Sequence, residues 1–298
     1  MSKTNIFDAA IDLPSRELSD RENVLLGFER RYEQIHNQLQ LLLNQTQLAS
    51  WSNTHHKSVL PVCNLVSDQY PLIIFHGDVG TGKTATAECI ANRIVRESKT
   101  EDSVLFKLSN RVRGSGKVGE MGTLLTQAWA ELMDAAGKNR RAILIIDEGD
   151  SIAASRTQSQ SHHEDKVAVN TLIQGVDELR KYGGRVVVIL CTNRLSILDP
   201  ALRRRAAIVE EFSRPNSIER KALFSMDLNG MKLTEIQLEA LADATGGKNE
   251  QPSWTYSDIR TRLYPTALAK AFPNRPLSFE DITESILAMN PSPIMEDK

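Results

Sequence analysis

Gly77-Asp78-Val79-Gly80-Thr81-Gly82-Lys83-Thr84 has the types and spacing of a phosphate cradle, and it names a ligand class: a nucleoside triphosphate with Mg²⁺. The glycines let successive backbone N–H groups wrap an anion. The helix expected to begin at Lys83, with Ala85 in its first turn, adds unpaired N–H groups and a positive dipole end. Lys83 is expected on the β- and γ-phosphates, and the Thr84 hydroxyl on Mg²⁺.

A second group follows at the end of the apolar run Ala142-Ile-Leu-Ile-Ile146, where Asp147 and Glu148 stand side by side. Asp147 suits the Mg²⁺ shell, and Glu148 suits a general base that polarises attacking water. An acid pair at a strand end is common on its own. Its position downstream of a phosphate loop, by a helix, a strand and another helix, makes it informative. A third run, Val186-Val-Val-Ile-Leu190, ends in Cys191-Thr192-Asn193. Asn193 can touch both the γ-phosphate and the water, although asparagine at a strand end is also a turn former. Arg203, Arg204 and Arg205 come next, and their guanidinium forks suit the charge of a phosphoryl-transfer transition state on a neighbouring subunit. A solvated basic turn is the plainer account of any one of them.

These residues need a scaffold, and the pattern supplies one. Apolar runs at 72–75, 104–108, 143–146, 186–190 and 208–212 alternate with amphipathic segments at 83–97, 120–136 and 166–181. Short continuous apolar runs suit strands buried on both faces, so the expectation is an α/β core with a parallel sheet. Residues 216–289 show helical patterns only and read as a small helical domain, joined near Ser213–Asn216. The expected division is 1–70 as a lead-in and helix, 71–213 as the phosphate-loop core, and 214–298 as a helical lid. Residues 1–16 read as a flexible lead-in, about 20–48 as one helix, and 50–70 as irregular.

With 298 residues, 41% hydrophobic and 25% charged, the chain is long enough for one large domain and a smaller one. A formal net charge of -2 argues against a generic nucleic-acid surface, though not against a local basic pore. Cys63, Cys89 and Cys191 are odd in number, without metal spacing, and read as reduced thiols of a cytoplasmic protein. The first residues lack the apolar core of a signal peptide, and no apolar stretch approaches membrane-spanning length.

The four elements, in this order and followed by a helical lid, resemble the AAA+ ATPases over roughly residues 71–270. Asp147-Glu-Gly-Asp-Ser-Ile-Ala-Ala-Ser-Arg156, Val169-Asn-Thr-Leu-Ile-Gln-Gly-Val-Asp177, Cys191-Thr-Asn-Arg194 and Asp199-Pro-Ala-Leu202 resemble the protein-remodelling branch. Asn170–Arg180 leading into Val186–Leu190, and Arg205-Ala-Ala-Ile208 in place of a Gly-Arg-Phe-Asp ending, resemble the pachytene-checkpoint-type remodellers of HORMA-domain proteins. The resemblance implies an ATP-hydrolysing ring, a hexamer, with ATP and Mg²⁺ between subunits. It implies Arg204 and Arg205 as fingers, Asn193 as first sensor, and Arg260 of Tyr256-Ser-Asp-Ile-Arg260 as the candidate second sensor. Val24–Phe28 resembles the segment lining the adenine pocket. Lys117-Val118-Gly119-Glu120 stands where the branch has an aromatic pore-loop residue, so Lys117 replaces the aromatic and Val118 becomes the main contact, beside the basic Arg111 and Arg113. The compact N-terminus resembles bacterial relatives that accompany HORMA proteins and nucleotidyltransferases in cyclic-oligonucleotide anti-phage systems. Two other readings stay open: an unfoldase for a separate protease, since His162-His-Glu-Asp165 does not fit a zinc-protease spacing, and a nucleotide-gated scaffold or DNA-helicase loader.

Overall fold

The computed structural model describes residues 6–98, 102–109, 112, 120–153, 163–248 and 251–295. Its centre is a six-stranded sheet with strand order β1-β3-β4-β5-β2-β6. The strands are β1 (Phe7–Leu13), β2 (Leu72–Gly77), β3 (Ser103–Leu108), β4 (Arg141–Ile146), β5 (Val186–Thr192) and β6 (Ala206–Phe212). All pairings are parallel except β1 with β3. The expected parallel α/β core is therefore present, with an antiparallel strand added at one edge.

Alternate residues of the central strands feed two apolar layers, one on each face of the sheet. Leu72, Ile74, Leu144, Ile146, Val188 and Leu190 point to one side. There they meet α6 (Glu120–Ala136) and α7 (His163–Leu179). Ile73, Phe75, Ile143, Ile145, Val187 and Ile189 point to the other. That side is covered by α1 (Arg16–Asn23), α2 (Phe28–Leu43) and α5 (Lys83–Ser98). Covering both faces is what allows β5 to bury all seven of its residues.

A third apolar cluster lies after β6 and is built around Leu223, Phe224, Leu241, Trp254, Ile259, Leu263 and Ile282. After the short α8 (Pro200–Arg203), which precedes β6, its helices are α9 (Ser217–Asp227), α10 (Glu235–Ala244), α11 (Tyr264–Ala271) and α12 (Phe279–Leu287). Reciprocal capping boxes start α9, α10 and α12, through Asn216 with Glu219, Thr234 with Gln237, and Ser278 with Asp281. A π-helical turn, Asp258–Leu263, leads into α11 and carries Arg260.

The N-terminal third departs from the sequence expectation. The stretch read as a lead-in contains β1, which covers the edge of β3, and the start of α1. The stretch read as one helix is broken between α1 and α2, where Gly27 takes φ +76, a left-handed conformation that glycine adopts without strain. The stretch read as irregular holds α3 (Leu48–His56) and α4 (Pro61–Ser67). Pro61 occupies the first helical position, where its missing N–H costs nothing. The buried Ser52 hydroxyl donates to Ser58 O and accepts from Leu60 N, closing the turn between α3 and α4.

Ion pairs fasten α1, α2 and β3 to α5. The nearly buried Glu88 carboxylate takes Lys107 of β3 at 2.6 Å and also Arg21 of α1. Arg93 reaches Glu22 and, at 3.0 Å, Glu29. Among the described residues no helix is long and apolar enough to cross a membrane.

Candidate functional site: a nucleotide pocket between sheet and lid

The phosphate loop leaves β2 at Gly77, whose φ is +129 and whose absent Cβ would lie 2.2 Å from Phe212 O. Only glycine lets β2 turn there beside β6. The loop then passes Gly80 at φ +74, with Thr255 and Ser257 of the lid 2.8 Å from where a Cβ would sit. Gly80 O accepts from Ser257 N at 3.1 Å, so the loop touches the lid directly.

Lys83 opens α5 and is 6% exposed. Its ammonium donates at 2.9 Å to each of Gly77 O, Asp78 O and Asn193 Oδ1. Burial pushes its pKa below the ordinary lysine value, against the opposing pull of nearby Cys191, Asp147, Asp78 and Asp150. The next residue, Thr84, donates its hydroxyl to Asp147 Oδ2 at 2.8 Å. The two oxygens expected to hold Mg²⁺ are thus adjacent, and hard oxygen donors of this kind suit that ion. Asp147 Oδ1 accepts from the Glu148 N–H at 2.9 Å. Glu148 takes φ +50, an uncommon left-handed conformation for a residue with a side chain, and it lines the pocket.

Asn193 is held from behind. Asp150 Oδ1 accepts from Thr192 Oγ1 at 3.1 Å and from Asn193 N at 3.4 Å. Sequence reasoning missed Asp150. Its signal was the position three residues after Asp147, on the turn that leaves β4 beside the tip of β5.

These residues line a cavity of about 410 Å³. Its walls are Val79, Gly80, Gly82, Lys83, Thr84 and Ala85 from the loop and α5, Asp147 and Glu148 just after β4, and Asn193 just after β5. Leu25 and the lid residues Tyr256, Ser257, Arg260 and Thr261 close it. Of the expected adenine segment Val24–Phe28, Leu25 alone reaches the lining, while Leu26 packs into the lid cluster. Gly77, Asp78 and Thr81 do not line the cavity. The first two hold Lys83 through their carbonyls, and Thr81 donates its hydroxyl to Asp78 O at 2.8 Å.

The arginines stand differently. Arg260 lies in the lining, but its guanidinium is clamped on Asp227 by two hydrogen bonds of 2.7 Å, which raises its pKa. Arg205 is held within its own chain by Asp177, at 2.5 and 3.0 Å, and lies over the Tyr70 ring. Arg204 is exposed and Arg203 is half-buried. None of the three lines this chain's cavity. Arg111, Arg113, Lys117, Val118, Gly119, Arg156 and His162 lie outside the described residues. The three cysteines are free and buried.

Known proteins resemble this chain along its length. Residues 73–214 match the model of the ATPase family associated with various cellular activities (AAA). The chain is 76% identical over 297 residues to CD-NTase-associated protein 6 of Escherichia coli (strain KTE188), with the whole of both chains covered. A chain in the structure of an E. coli MS115-1 HORMA:CdnC:Trip13 complex superposes with a TM-score of 0.89 at 34% identity, covering 97% of each chain. The structure of Rhizobiales Trip13 follows with a TM-score of 0.72 at 30% identity, over 96% of this chain and 99% of that one. With the loop, the acid pair and the asparagine gathered under one cavity, and with likeness along its full length, the chain belongs to the AAA ATPases and, within them, to the family of CD-NTase-associated protein 6.

Proposed function

We propose that the chain is a ring-forming ATPase, a hexamer, that engages a HORMA-domain partner, partly unfolds it and so resets a complex in anti-phage defence. In this reading residues 71–213 are the ATPase core and 214–298 the lid. The observation that carries the chemistry is the joining of Lys83, Asn193, Thr84 and Asp147 at the floor of the cavity. The choice of partner is supported by likeness to a chain in a HORMA:CdnC:Trip13 complex, which also makes an associated nucleotidyltransferase the second partner.

ATP phosphates rest on the backbone N–H groups of Gly80, Gly82, Lys83 and Thr84, with the Lys83 ammonium moving from the loop carbonyls to phosphate oxygens. Thr84 and Asp147 are the residues that hold Mg²⁺, which when bound offsets phosphate charge. The Glu148 carboxylate takes a proton from the attacking water, and Asn193 fixes the position of that water. Arg204 and Arg205 act at a neighbour's site, where fixed guanidinium charge stabilises the transition state.

The test follows unfolding or dissociation of a HORMA-type partner alongside ATP turnover. Val118→Ala and Lys117→Ala should leave basal hydrolysis intact while uncoupling it from remodelling. Loop variants that remodel the partner at the wild-type rate per ATP would overturn threading and favour a nucleotide-gated scaffold.

A further inference from the structure

The nucleotide cavity is closed by two bodies, the sheet with its loop and the helical lid. Among the contacts that join them is one side chain with three separate partners. Arg214, at the connection between β6 and α9, has a side chain that is 8% exposed and pairs with Asp78 of the phosphate loop, whose side chain is 12% exposed. Its Nε donates to Asp78 Oδ2 at 2.5 Å, its Nη1 to Ser253 O of the lid at 2.5 Å, and its Nη2 to Pro293 O at 2.9 Å. One guanidinium thus uses all three of its nitrogens on three separate parts of the chain.

Pro293 belongs to a C-terminal segment that runs back over the loop. Ser292 donates its hydroxyl to Asp258 Oδ1 at 2.6 Å and its N–H to Asp258 Oδ2 at 3.2 Å. Three residues further on, Met295 N lies 3.4 Å from Asp78 Oδ1. Asp258 is 1% exposed and begins the π-turn that presents Arg260 and Thr261 to the cavity. One path from the loop to the lid runs Asp78, Arg214, Pro293, Ser292, Asp258, and two shorter links lie beside it, Arg214 to Ser253 O and Met295 N to Asp78. Little apolar burial fixes this strap, since Ile294 is 57% exposed and Met295 41%. Directional hydrogen bonds hold it, and these specify position more than they add stability.

We propose that Arg214 and the segment Ser292–Met295 are positioning residues for the nucleotide site: they fix the pocket-lining face of the lid against the phosphate loop, through Asp78 on one side and Asp258 on the other. The proposal rests on the nucleotide-site reading above. Neither element lines the nucleotide cavity, so their effect reaches the nucleotide through the lid and through Asp78, whose carbonyl holds Lys83. A lid released from the loop still offers the same walls but no longer holds them closed, and bound nucleotide escapes faster.

The experiment measures release of ADP carrying a ribose-linked fluorophore from the full-length protein, from Arg214→Ala, from a chain ending at Pro291, and from the two changes combined. Each single change is expected to speed release about tenfold and to raise the KM for ATP with a smaller change in kcat. The combination should go further than either alone, because Arg214 keeps its bond to Ser253 O when the segment is cut and Met295 N keeps its bond to Asp78 when Arg214 is lost. Arg214→Lys, which keeps the charge and some of the hydrogen bonds, should fall between wild type and Arg214→Ala. If Arg214→Ala fails to fold, the shortened chain and Arg214→Lys still decide the matter. Release within twofold of wild type in the folded shortened chain, or in the folded combination, would overturn the proposal. A lower melting temperature with unchanged release would show a structural strap only, and would overturn it too. Failure of the wild-type protein to bind the probe would instead remove the nucleotide-site reading on which the proposal stands.

Discussion

The Lys83 ammonium and the Asn193 amide oxygen are 2.9 Å apart, joining the start of α5 to the tip of β5 across 110 residues of sequence. Two groups assigned to the γ-phosphate are therefore already in register. Lys83→Ala removes a charged donor, and loss of a charge-assisted hydrogen bond of about 1.5–3 kcal/mol predicts ATP binding weaker by about 10- to 150-fold. Equilibrium titration with a fluorescent ATP analogue checks it.

Glu148→Gln keeps the shape of the side chain and removes the base. Nucleotide affinity should stay within about threefold of wild type, while turnover falls by about a hundredfold or more. Measuring both on one preparation separates this from a folding defect. Normal turnover in Glu148→Gln would remove the assignment.

Arg204 is exposed, so Arg204→Ala should change stability by no more than about 0.5 kcal/mol. If it acts on a neighbour, turnover should nevertheless fall by about a hundredfold or more, with nucleotide binding spared. Arg205 has first to leave Asp177, so its loss also frees a carboxylate. Mixing arginine variants with Lys83→Ala subunits should recover part of the activity. Mixed rings that stay inactive would count against action in trans.

Burial holds the Lys83 ammonium below its ordinary pKa, which fixes two opposite pH trends. The charged form is disfavoured in the folded, nucleotide-free protein, so Lys83's contribution to folding stability rises as pH climbs through the lowered pKa. Phosphate needs the ammonium, so ATP affinity should fall across the same window, beginning below the usual lysine value of about 10.4. Titrations from neutral to alkaline pH, with Lys83→Ala as the flat control, test the sign.

Gly80→Ala places a methyl where Thr255 and Ser257 already stand, on a left-handed backbone. A loss of about 1–3 kcal/mol in stability is expected, with the lid pushed off the loop and nucleotide held less tightly. Thermal melts with and without ATP measure both, and an unchanged ligand-induced shift would show that the lid tolerates the methyl.

The parts legible in the sequence were those written in contiguous residues. The loop, the acid pair and the asparagine each end an apolar run, and long runs such as Val186–Leu190 have few other uses. What escaped was either disguised by composition or distributed over distance. In β1, Phe7, Ala9, Ile11 and Leu13 alternate with Asp8, Ala10 and Asp12, a period-2 pattern with too little apolar bulk to stand out. In α3 and α4, serine, asparagine, histidine and Pro61 look like loop chemistry, yet the proline sits at a helix start. Arg214 was visible only as part of a domain joint. Nothing local points to Asp78, which lies 136 residues earlier. The expected roles of Arg205 and Arg260 came from position in the chain, and their partners Asp177 and Asp227 are set by tertiary packing that spacing does not encode.

The edge strand carries a consequence for synthesis. β1 leaves the ribosome well before its partner β3, which begins only at Ser103. Until then β1 has no ladder to join, and closing so long a loop is a slow, entropy-limited step. In the interval its Phe7 and Leu13, both buried in the finished fold, stay open to solvent. β3, once made, would likewise offer a bare edge to other nascent chains if β1 were absent. The N-terminal strand thus acts as a self-supplied edge guard, and chains begun after residue 15 should be recovered mostly as aggregates even though every residue assigned to the phosphate site is intact.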